Sequence, residues 1–149
     1  MAISSEIGSI EVQKLDPNAT IPTRANSTDA GYDLYAQIDS SSTIINPKEI
    51  KLISTGIAMA IPRGYAGLIW DRSSMGVKGI HRFAGVVDSG YRGEVKVCLY
   101  NSNDRPYLLN SGDRIAQILI QKVNDFYLRE VDNLNETDRG SGGFGSSGI

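Results

Sequence analysis

The sequence predicts an all-β fold, as a sandwich, a barrel or a jelly roll, and three observations support this. Short segments with strand character recur at intervals of roughly ten residues. Glycine, proline, asparagine and serine separate these segments, as expected for turns. Helical periodicity is nearly absent. With 149 residues, 40% hydrophobic and 21% charged, the chain has the size and composition of one globular domain with a real core.

Ten segments have strand character, and one short helical turn is expected between the sixth and the seventh. Pro17 and Pro22 make residues 16–30 a loop. The helical turn follows Ser73 and Ser74 and runs from Met75 through Lys78. The predicted strands are residues 10–15, 32–36, 43–45, 49–54, 57–61, 65–70, 84–87, 94–100, 107–109 and 114–123.

Residues 84–100 are predicted to form a β-hairpin. An apolar run ends in Asp88, passes through Ser89 and Gly90, and resumes at Glu94 as an alternating strand. Asp88 then ends one strand with Tyr91 close by, where a carboxylate is well placed to act as a general base on water. On this stretch alone, a turn-forming Asp88 and a core-covering Tyr91 are the simpler interpretation.

Charge and residue counts exclude several classes of protein. A formal net charge of −2 and a pI of about 5.3 argue against a general nucleic-acid or membrane-surface binder. Cys98 is the single cysteine, which fits a reducing compartment, and mid-strand it is expected to be a small buried apolar side chain. His81, the single histidine, rules out a multi-histidine zinc site and is expected on a surface loop.

The chain is expected to be intracellular. The opening residues lack the basic start and apolar core of a signal peptide, and no apolar run approaches the length of a membrane span. The expected location is the cytoplasm, or the interior of a virus-infected cell, or the nucleus in a eukaryote.

The C-terminal segment has two interpretations. Residues 133–149 are polar and end in a glycine- and serine-rich stretch, which by composition alone is a mobile tail. The same stretch carries Arg139 and Phe144 among backbone amides that can approach phosphate oxygens. Arginine grips a phosphate with two donors, and phenylalanine stacks on a flat base. The sequence therefore predicts a domain over residues 1–132 and an arm over residues 133–149.

Five segments in order resemble the motifs of the trimeric deoxyuridine triphosphate nucleotidohydrolases (dUTPases). Each is common by itself, for instance the arginine and hydroxyls at residues 72–74, which begin the short helical turn. Together they match from about residue 13 to the C-terminus. The five segments are residues 30–34 (AGYDL), 72–74 (RSS), 85–93 (GVVDSGYRG), 112–117 (GDRIAQ) and 139–146 (RGSGGFGS).

The resemblance implies a jelly-roll or distorted β-barrel fold with one short helix and a mobile Gly-rich arm. It also implies a homotrimer whose sites each draw on more than one subunit. The implied reaction is Mg²⁺-dependent hydrolysis of dUTP to dUMP and pyrophosphate, which lowers dUTP and supplies dUMP for thymidylate synthesis. Asp88 would activate the water that attacks the α-phosphorus, and Tyr91 would leave no room for a 2′-hydroxyl. Neither nucleic acid nor a membrane is an implied partner.

The remaining roles are also carried over from the resemblance. Uracil would bind the backbone of Gly85, Val86, Val87 and Asp88 and the backbone near Lys96, and the wrong base would leave these groups unpaired. Asp33 would contact Mg²⁺ through water. The other residues implied to bind substrate are Arg72, Ser73, Ser74 and Gln117 at the phosphates, Arg139 at the γ-phosphate, Phe144 on the uracil, and Gly145 and Ser146 beside it.

Three positions depart from the family pattern. Asp71 replaces a proline and Ser74 a glycine in the second motif, and Arg82 lies where many members have asparagine. The added charge at position 71 lies close to the implied phosphate site. Asp71 is therefore expected either to point away from that site or to pair with an arginine.

Two other functions are alternatives to this one. The deoxycytidine triphosphate deaminases share the fold and resemble the motif at residues 72–74, but they carry a catalytic glutamate where this chain has Cys98. A non-catalytic trimer that senses nucleotides or binds proteins is the other alternative. The presence of Asp88, Tyr91 and Arg139 favours the enzyme.

Overall fold

The computed structural model describes residues 8–144 and residue 146. This part of the chain forms eleven β-strands and one five-residue helix. The elements are β1 (Glu11–Lys14), β2 (Tyr32–Tyr35), β3 (Ser42–Ile45), β4 (Ile50–Ser54), β5 (Ile57–Ala60), β6 (Tyr65–Trp70), α1 (Ser73–Val77), β7 (Ile80–Phe83), β8 (Val86–Val87), β9 (Lys96–Asn101), β10 (Tyr107–Asn110) and β11 (Arg114–Lys122). The prediction of an all-β fold with one short helix is confirmed.

The strands pair antiparallel in four small sheets. The largest has the order β2-β11-β6-β8, and a second has the order β4-β9-β7. Two further pairs are β1-β5 and β10-β3. The longest strand, β11, places Gln117 opposite both Asp33 of β2 and Trp70 of β6. The first, second and fourth sequence motifs thus meet at one end of the same sheet.

One hydrophobic core fills the space between the sheets. Alternation along β9 shows how the sequence builds it: Val97 and Leu99 are buried, whereas Cys98 and Tyr100 point to the other face. Each fully buried branched side chain stabilises the fold by about 1.5–3 kcal/mol relative to exposure. The large apolar side chains below 2% exposure in the described chain are Leu34, Ile45, Ile57, Ile61, Ile80, Leu99, Leu109, Ile115, Ile118, Val95 and Val97.

The predicted hairpin over residues 84–100 is wrong. A turn does form, because the Tyr91 N–H donates to the Asp88 carbonyl oxygen over 3.1 Å. The two strands nevertheless enter different sheets, since β8 pairs with β6, and β9 pairs with β4 and β7. Positive φ angles at Ala84 (58°) and Gly85 (115°) redirect the chain immediately before β8.

The predicted loop around His81 is also wrong. Residues 80–83 form β7, which pairs with β9 in a register that places His81 opposite Tyr100. Ile80 is fully buried, whereas His81 is only half-buried. Four residues with a single buried position give too short a periodicity to mark a strand in the sequence.

The chain beyond β11 lies on the outside of the domain. Residues 121–141 are all exposed, and the described residues after Lys122 form neither helix nor strand. Phe126, Tyr127, Leu128 and Leu134 are among the most exposed apolar side chains of the described chain. The division between residues 1–132 and 133–149 stays a prediction.

Among the described residues, no helix has the length and apolar character needed to cross a membrane.

Candidate functional site

The residues predicted around Asp88 line one cavity of about 310 Å³, named here the Asp88 cavity. Its wall comes from the chain on both sides of the Asp88 turn, from Ile69 of β6 and from Leu52 of β4. It therefore lies where the two larger sheets approach each other. The sequence-predicted residues on its wall are Gly85, Val86, Val87, Asp88, Tyr91 and Lys96.

An unusual backbone conformation forms the entrance to β8. Ala84 has a φ of 58°, which costs a non-glycine residue energy and tends to be retained at functional sites. Gly85 has a φ of 115°, and a Cβ there would lie 2.9 Å from the Ile69 carbonyl oxygen. The Ile69 N–H donates to the Gly85 carbonyl over 2.7 Å, so the two backbones are in close contact. Only glycine fits at position 85.

Tyr91 is fixed beside Asp88 by its own turn. Its hydroxyl donates to the Glu94 carbonyl oxygen over 2.9 Å, and its ring packs over Gly93. A Cβ at Gly93 would lie only 2.5 Å from the Tyr91 hydroxyl, so any larger residue there would displace the Tyr91 ring. The Asp88 carboxylate is exposed and makes no side-chain hydrogen bond to any residue that the structure describes. Its oxygens are therefore free to accept hydrogen bonds from water.

The far wall of the Asp88 cavity is formed by β9. Lys96 Nζ lies 3.4 Å from Glu94 Oε2, and Glu94 Oε1 accepts the Gly56 N–H over 2.9 Å. Cys98 is half-buried and faces the cavity, so its expected burial as a small core side chain is wrong. Because side chains alternate along β9, Cys98 lies on the face opposite to the buried Val97 and Leu99 rather than in the core. A thiol there does not supply the carboxylate that deamination requires.

A second cleft, of about 260 Å³, contains the residues predicted to bind phosphate and metal, and is named here the Arg72 cleft. Arg72 Nε donates to Asp33 Oδ1 over 2.8 Å, and Arg114 Nη1 lies 3.4 Å from Asp33 Oδ2. Arg72 Nη1 also donates to Ser74 Oγ over 3.2 Å. The predicted residues on its wall are Asp33, Arg72, Ser73 and Gln117; Ser74 contacts Arg72 but does not line the cleft.

The donor set at Asp33 fits a magnesium ion held mainly by its substrate. Asp33 already accepts from two arginines, but a carboxylate offers about four lone-pair positions, so it can also accept from a metal-bound water. No group of three or more His, Cys, Asp or Glu residues within the described chain could hold a metal ion. Mg²⁺ commonly keeps several waters and binds through one or two carboxylates and substrate phosphates, which is the arrangement these residues permit.

The Asp71 side chain points away from the Arg72 cleft. Its Oδ1 accepts the Arg82 backbone N–H over 2.7 Å, and its Oδ2 lies 3.2 Å from His81 Nδ1. The first of the two expected alternatives is therefore correct, and no arginine side chain in the described part of the chain pairs with this carboxylate. The Arg82 guanidinium instead lies 4.9 Å from the centre of the Trp70 ring.

The described part of the arm lines neither the cavity nor the cleft. Arg139 Nε donates to the Gly142 carbonyl over 3.0 Å, and the Ser146 N–H donates to the Gly143 carbonyl over 3.0 Å. Phe144 is fully exposed. Gly145, also predicted to bind substrate, lies outside the described residues. The predicted residues thus fall into three separate groups, and no described residue lines both the cavity and the cleft.

Sequence reasoning missed several residues of these walls, among them Leu52, Phe83 and Arg114. Leu52 and Phe83 lie on either side of Cys98 in the β4-β9-β7 register, and both line the Asp88 cavity. No sequence pattern marks them, because only the strand pairing places them there. Arg114 lines the Arg72 cleft, and its place inside the fourth motif is a signal that could have identified it.

Comparison with known proteins identifies close sequence relatives. The dUTPase family model matches residues 17–148. A deoxyuridine 5′-triphosphate nucleotidohydrolase of Nocardia farcinica is 47% identical over 148 residues, covering 97% of this chain and 88% of that protein. A protein of the same name from Saccharomyces cerevisiae is 43% identical over 141 residues, covering 93% and 94%.

Solved structures share the architecture. A mutant dUTPase of Staphylococcus bacteriophage 80alpha, solved with dUpNHpp, superposes with a TM-score of 0.86 at 29% identity and covers 95% of this chain and 99% of that one. A mutant dUTPase from phage phi11 of S. aureus, described for its coordination of a structural Mg(II) ion, has a TM-score of 0.78 at 27% identity and covers 87% and 100%. The expected jelly-roll fold is confirmed.

Proposed function

The chain belongs to the dUTPase family and is a dUTP diphosphatase, and on this premise we propose how its residues hydrolyse dUTP. The observation that carries the proposal is the exposed Asp88 carboxylate, without a side-chain partner in the described chain, on the wall of a cavity that it shares with Tyr91 and with the backbone of residues 85–87. A carboxylate with free lone pairs, next to a cavity large enough for a nucleoside, is suited to hold a reacting water.

In the proposed reaction Asp88 accepts a proton from water while the water oxygen attacks the α-phosphorus. The bond between the α-phosphorus and the oxygen that bridges to the β-phosphate breaks. Pyrophosphate leaves with the electron pair of that bond, and dUMP remains. General-base assistance of this kind contributes typically 10²–10⁴-fold to a rate.

The Asp88 cavity is proposed to select the base and the sugar. The backbone at Gly85 approaches the main chain of Ile69 closely and is suited to present N–H and C=O groups to the uracil edge. The backbone near Lys96 forms the opposite wall. The Tyr91 ring, fixed by its bond to Glu94, would lie beneath the deoxyribose and exclude a 2′-hydroxyl. A site built on such buried hydrogen bonds rejects the wrong base strongly.

The Arg72 cleft is proposed to hold the triphosphate. On its wall, Arg72, Ser73 and Gln117 supply guanidinium, hydroxyl and amide donors. The Ser74 hydroxyl, which accepts from Arg72 beside the cleft, would join them. Arginine binds phosphate oxygens in a two-donor geometry. Bound Mg²⁺ would neutralise charge on the phosphate chain. Asp33 would contact it through water, with the geometry set by its bonds to Arg72 and Arg114.

We further propose that a homotrimer assembles the complete site. In one chain the Asp88 cavity and the Arg72 cleft share no described lining residue, so a single nucleotide would use the cavity of one subunit and the cleft of another. The arm over residues 133–149 would then reach a neighbouring subunit, with Arg139 at the γ-phosphate and Phe144 on the uracil beside Gly145 and Ser146. The exposed apolar residues at 126–128, which precede the arm, and Leu134 within it suit an extended segment that crosses between subunits.

In the cell the enzyme would lower dUTP and supply dUMP for thymidylate synthesis, with the intracellular nucleotide pool as its source of substrate. Neither nucleic acid nor a membrane is a proposed partner.

The test is pyrophosphate release from dUTP, dCTP, dTTP and UTP, assayed side by side with Mg²⁺. We expect release from dUTP alone, because cytosine, the thymine methyl group and the 2′-hydroxyl are each excluded by the proposed contacts. If a folded protein binds dUTP without releasing pyrophosphate from any of the four, the nucleotide-sensor alternative holds. Release of ammonia from dCTP would mean that Cys98 was wrongly taken to exclude deamination.

A further inference from the structure

Asp71 connects the loop that begins the Arg72 cleft to two other strands. The residue lies between β6 and α1, directly before Arg72. Its carboxylate accepts the Arg82 N–H of β7 over 2.7 Å and contacts His81 Nδ1 over 3.2 Å. Its main-chain carbonyl accepts from Gln117 Nε2 of β11 over 3.0 Å. The side-chain carboxylate and the main-chain carbonyl of Asp71 thus both accept hydrogen bonds from residues outside its own loop.

We propose, as an extension of the proposed function, that Asp71 is a positioning residue that holds residues 72–74 in the conformation that binds the triphosphate. The family more often has proline here, and proline limits the loop by fixing φ. Aspartate has no such restriction. The bonds to β7 supply the missing constraint, because they fix the carboxylate and through it the main chain immediately before Arg72.

The orientation of Asp71 explains how a negative charge is tolerated next to a phosphate site. The carboxylate is not part of the wall of the Arg72 cleft; it faces β7. The two hydrogen bonds differ in importance. The His81 and Asp71 side chains are 45% and 35% exposed, so their contact is screened by solvent and contributes little. The shorter bond from the Arg82 backbone N–H is therefore the main constraint.

The position of the main chain at residue 71 matters because the next residue has a demanding geometry. Arg72 donates simultaneously to Asp33, to Ser74 and to the Arg114 carbonyl oxygen. A guanidinium held by three partners can present its remaining donors to a phosphate only if its backbone is correctly placed. Supporting contacts of this kind commonly contribute 10–100-fold to the affinity of the group that they orient, in well-studied metal sites.

The test compares Asp71→Ala with wild type for binding of two probes, the non-hydrolysable imido analogue of dUTP and deoxyuridine, which has no phosphate. We expect Asp71→Ala to lower the affinity for the analogue by about tenfold or more, while the affinity for deoxyuridine changes by less than about twofold. The KM for dUTP should rise in parallel. Asp71→Asn keeps an oxygen that accepts the Arg82 N–H, so it should restore analogue affinity to within about threefold of wild type. The affinity of His81→Ala for the analogue should also stay within about threefold of the wild-type value.

Asp16→Ala is the matched control, because Asp16 also accepts a backbone N–H, from Asn18 over 2.8 Å, and lies outside both the cavity and the cleft. Equal loss of analogue affinity in the Asp16 and Asp71 variants, or equal loss of both probes in Asp71→Ala, would overturn the proposal. If Asp71→Ala does not fold, Asp71→Glu replaces it and should bind the analogue more weakly than Asp71→Asn. Equal affinity of these two variants would also overturn it. Failure of the wild type to hydrolyse dUTP would instead count against the proposed function.

Discussion

Asp33 and Arg72 form the shortest ion pair of the described chain, with 2.8 Å between Asp33 Oδ1 and Arg72 Nε. It joins β2 to the loop before α1, and it is partly shielded, with side-chain exposures of 15% and 22%. Arg114 approaches the same carboxylate from β11. Three of the predicted motifs therefore converge on one carboxylate, which gives Asp33 a structural role in addition to its proposed contact with a metal-bound water.

Asp33→Asn is predicted to destabilise the fold as well as lower activity. Loss of the charge leaves two arginines without their shared partner, and a hydrogen bond to a charged group contributes about 1.5–3 kcal/mol. We expect the free energy of unfolding, measured with urea, to fall by about 2 kcal/mol. Asp104→Asn is the control: Asp104 pairs with Lys48 but is 95% exposed, so its loss should change stability by less than about 1 kcal/mol. Equal effects of the two substitutions would contradict the structural role.

Gly85→Ala is predicted to damage both the fold and the Asp88 cavity. The new methyl group would lie 2.9 Å from the Ile69 carbonyl oxygen, on a residue that already has a φ of 115°. Such a conformation costs about 1–3 kcal/mol in a residue other than glycine. In Gly90→Ala, in the same motif, the new methyl group meets nothing within 4 Å. The free energy of unfolding of this variant should therefore stay within about 0.5 kcal/mol of the wild-type value. A Gly85 variant as stable as the Gly90 variant would mean that the backbone there is not constrained.

Arg139→Ala is predicted to lower the turnover of dUTP by more than about tenfold while leaving stability unchanged. The residue is exposed, and within the described chain its side chain bonds only to the nearby Gly142 carbonyl, so nothing in the domain depends on it. A charge-assisted phosphate contact, by contrast, contributes enough to be seen in the rate. The control is Arg129→Ala, which removes another exposed arginine of the same extended segment and should leave turnover unchanged. Equal turnover in the two variants would show that Arg139 does not contact the nucleotide.

Deletion of residues 139–149 tests the arm as a whole. The proposed closure over the nucleotide requires Arg139, Phe144 and the glycines between them, whereas the core elements end at Lys122. We expect a folded trimer with the thermal midpoint of the full chain and badly reduced turnover. Full turnover in the shortened protein would show that the segment is a tail without function.

Tyr107 predicts a loss of stability at alkaline pH. Burial raises the pKa of the Tyr107 phenol, and the Asp113 carboxylate adds to the rise. The folded-state pKa of Tyr107 therefore lies above the unfolded value of about 10. The stability that the fold gains from keeping this phenol neutral is fully present below about pH 10, and it is lost as the pH rises through the folded-state pKa. Thermal midpoints measured on either side of about pH 10 should therefore fall less steeply for Tyr107→Phe than for wild type. Tyr127→Phe, at an exposed position, should keep the wild-type slope.

Much of the fold can be predicted from the sequence, because the alternation of apolar and polar residues along a strand indicates which side chains are buried. β9 shows this well: its buried and outward residues alternate without interruption, and a period of two has one physical meaning in a strand. The existence of the short helix is also predictable, although it begins at Ser73 rather than after Ser74, with Arg72 as its N-cap and no side-chain capping hydrogen bond. Five of the six predicted residues on the wall of the Asp88 cavity are identifiable because they belong to one contiguous motif, residues 85–93; the sixth, Lys96, follows on β9.

Pairing between distant segments was not readable in the same way. The turn at Asp88 looks like a hairpin, yet Val87 pairs with Gly67 of β6, and nothing in residues 84–100 encodes that partner. The contact of Asp71 with Arg82 is equally invisible, because it depends on β7 lying beside the loop before α1. Leu52 and Phe83 reach the cavity only through the register of β9. Alternation along a strand predicts which face of the sheet a side chain occupies. The pairing of distant strands decides which residues that side chain contacts.

Asp88→Asn tests the central claim most directly. The amide keeps the size of the side chain but no longer serves as a general base, and the exposed position makes a folding defect unexpected. The measurement is pyrophosphate release from dUTP with Mg²⁺, together with binding of the imido analogue of dUTP. The account predicts analogue affinity close to wild type and turnover lowered by roughly 10²-fold or more. Turnover equal to wild type would contradict it and remove Asp88 as the base.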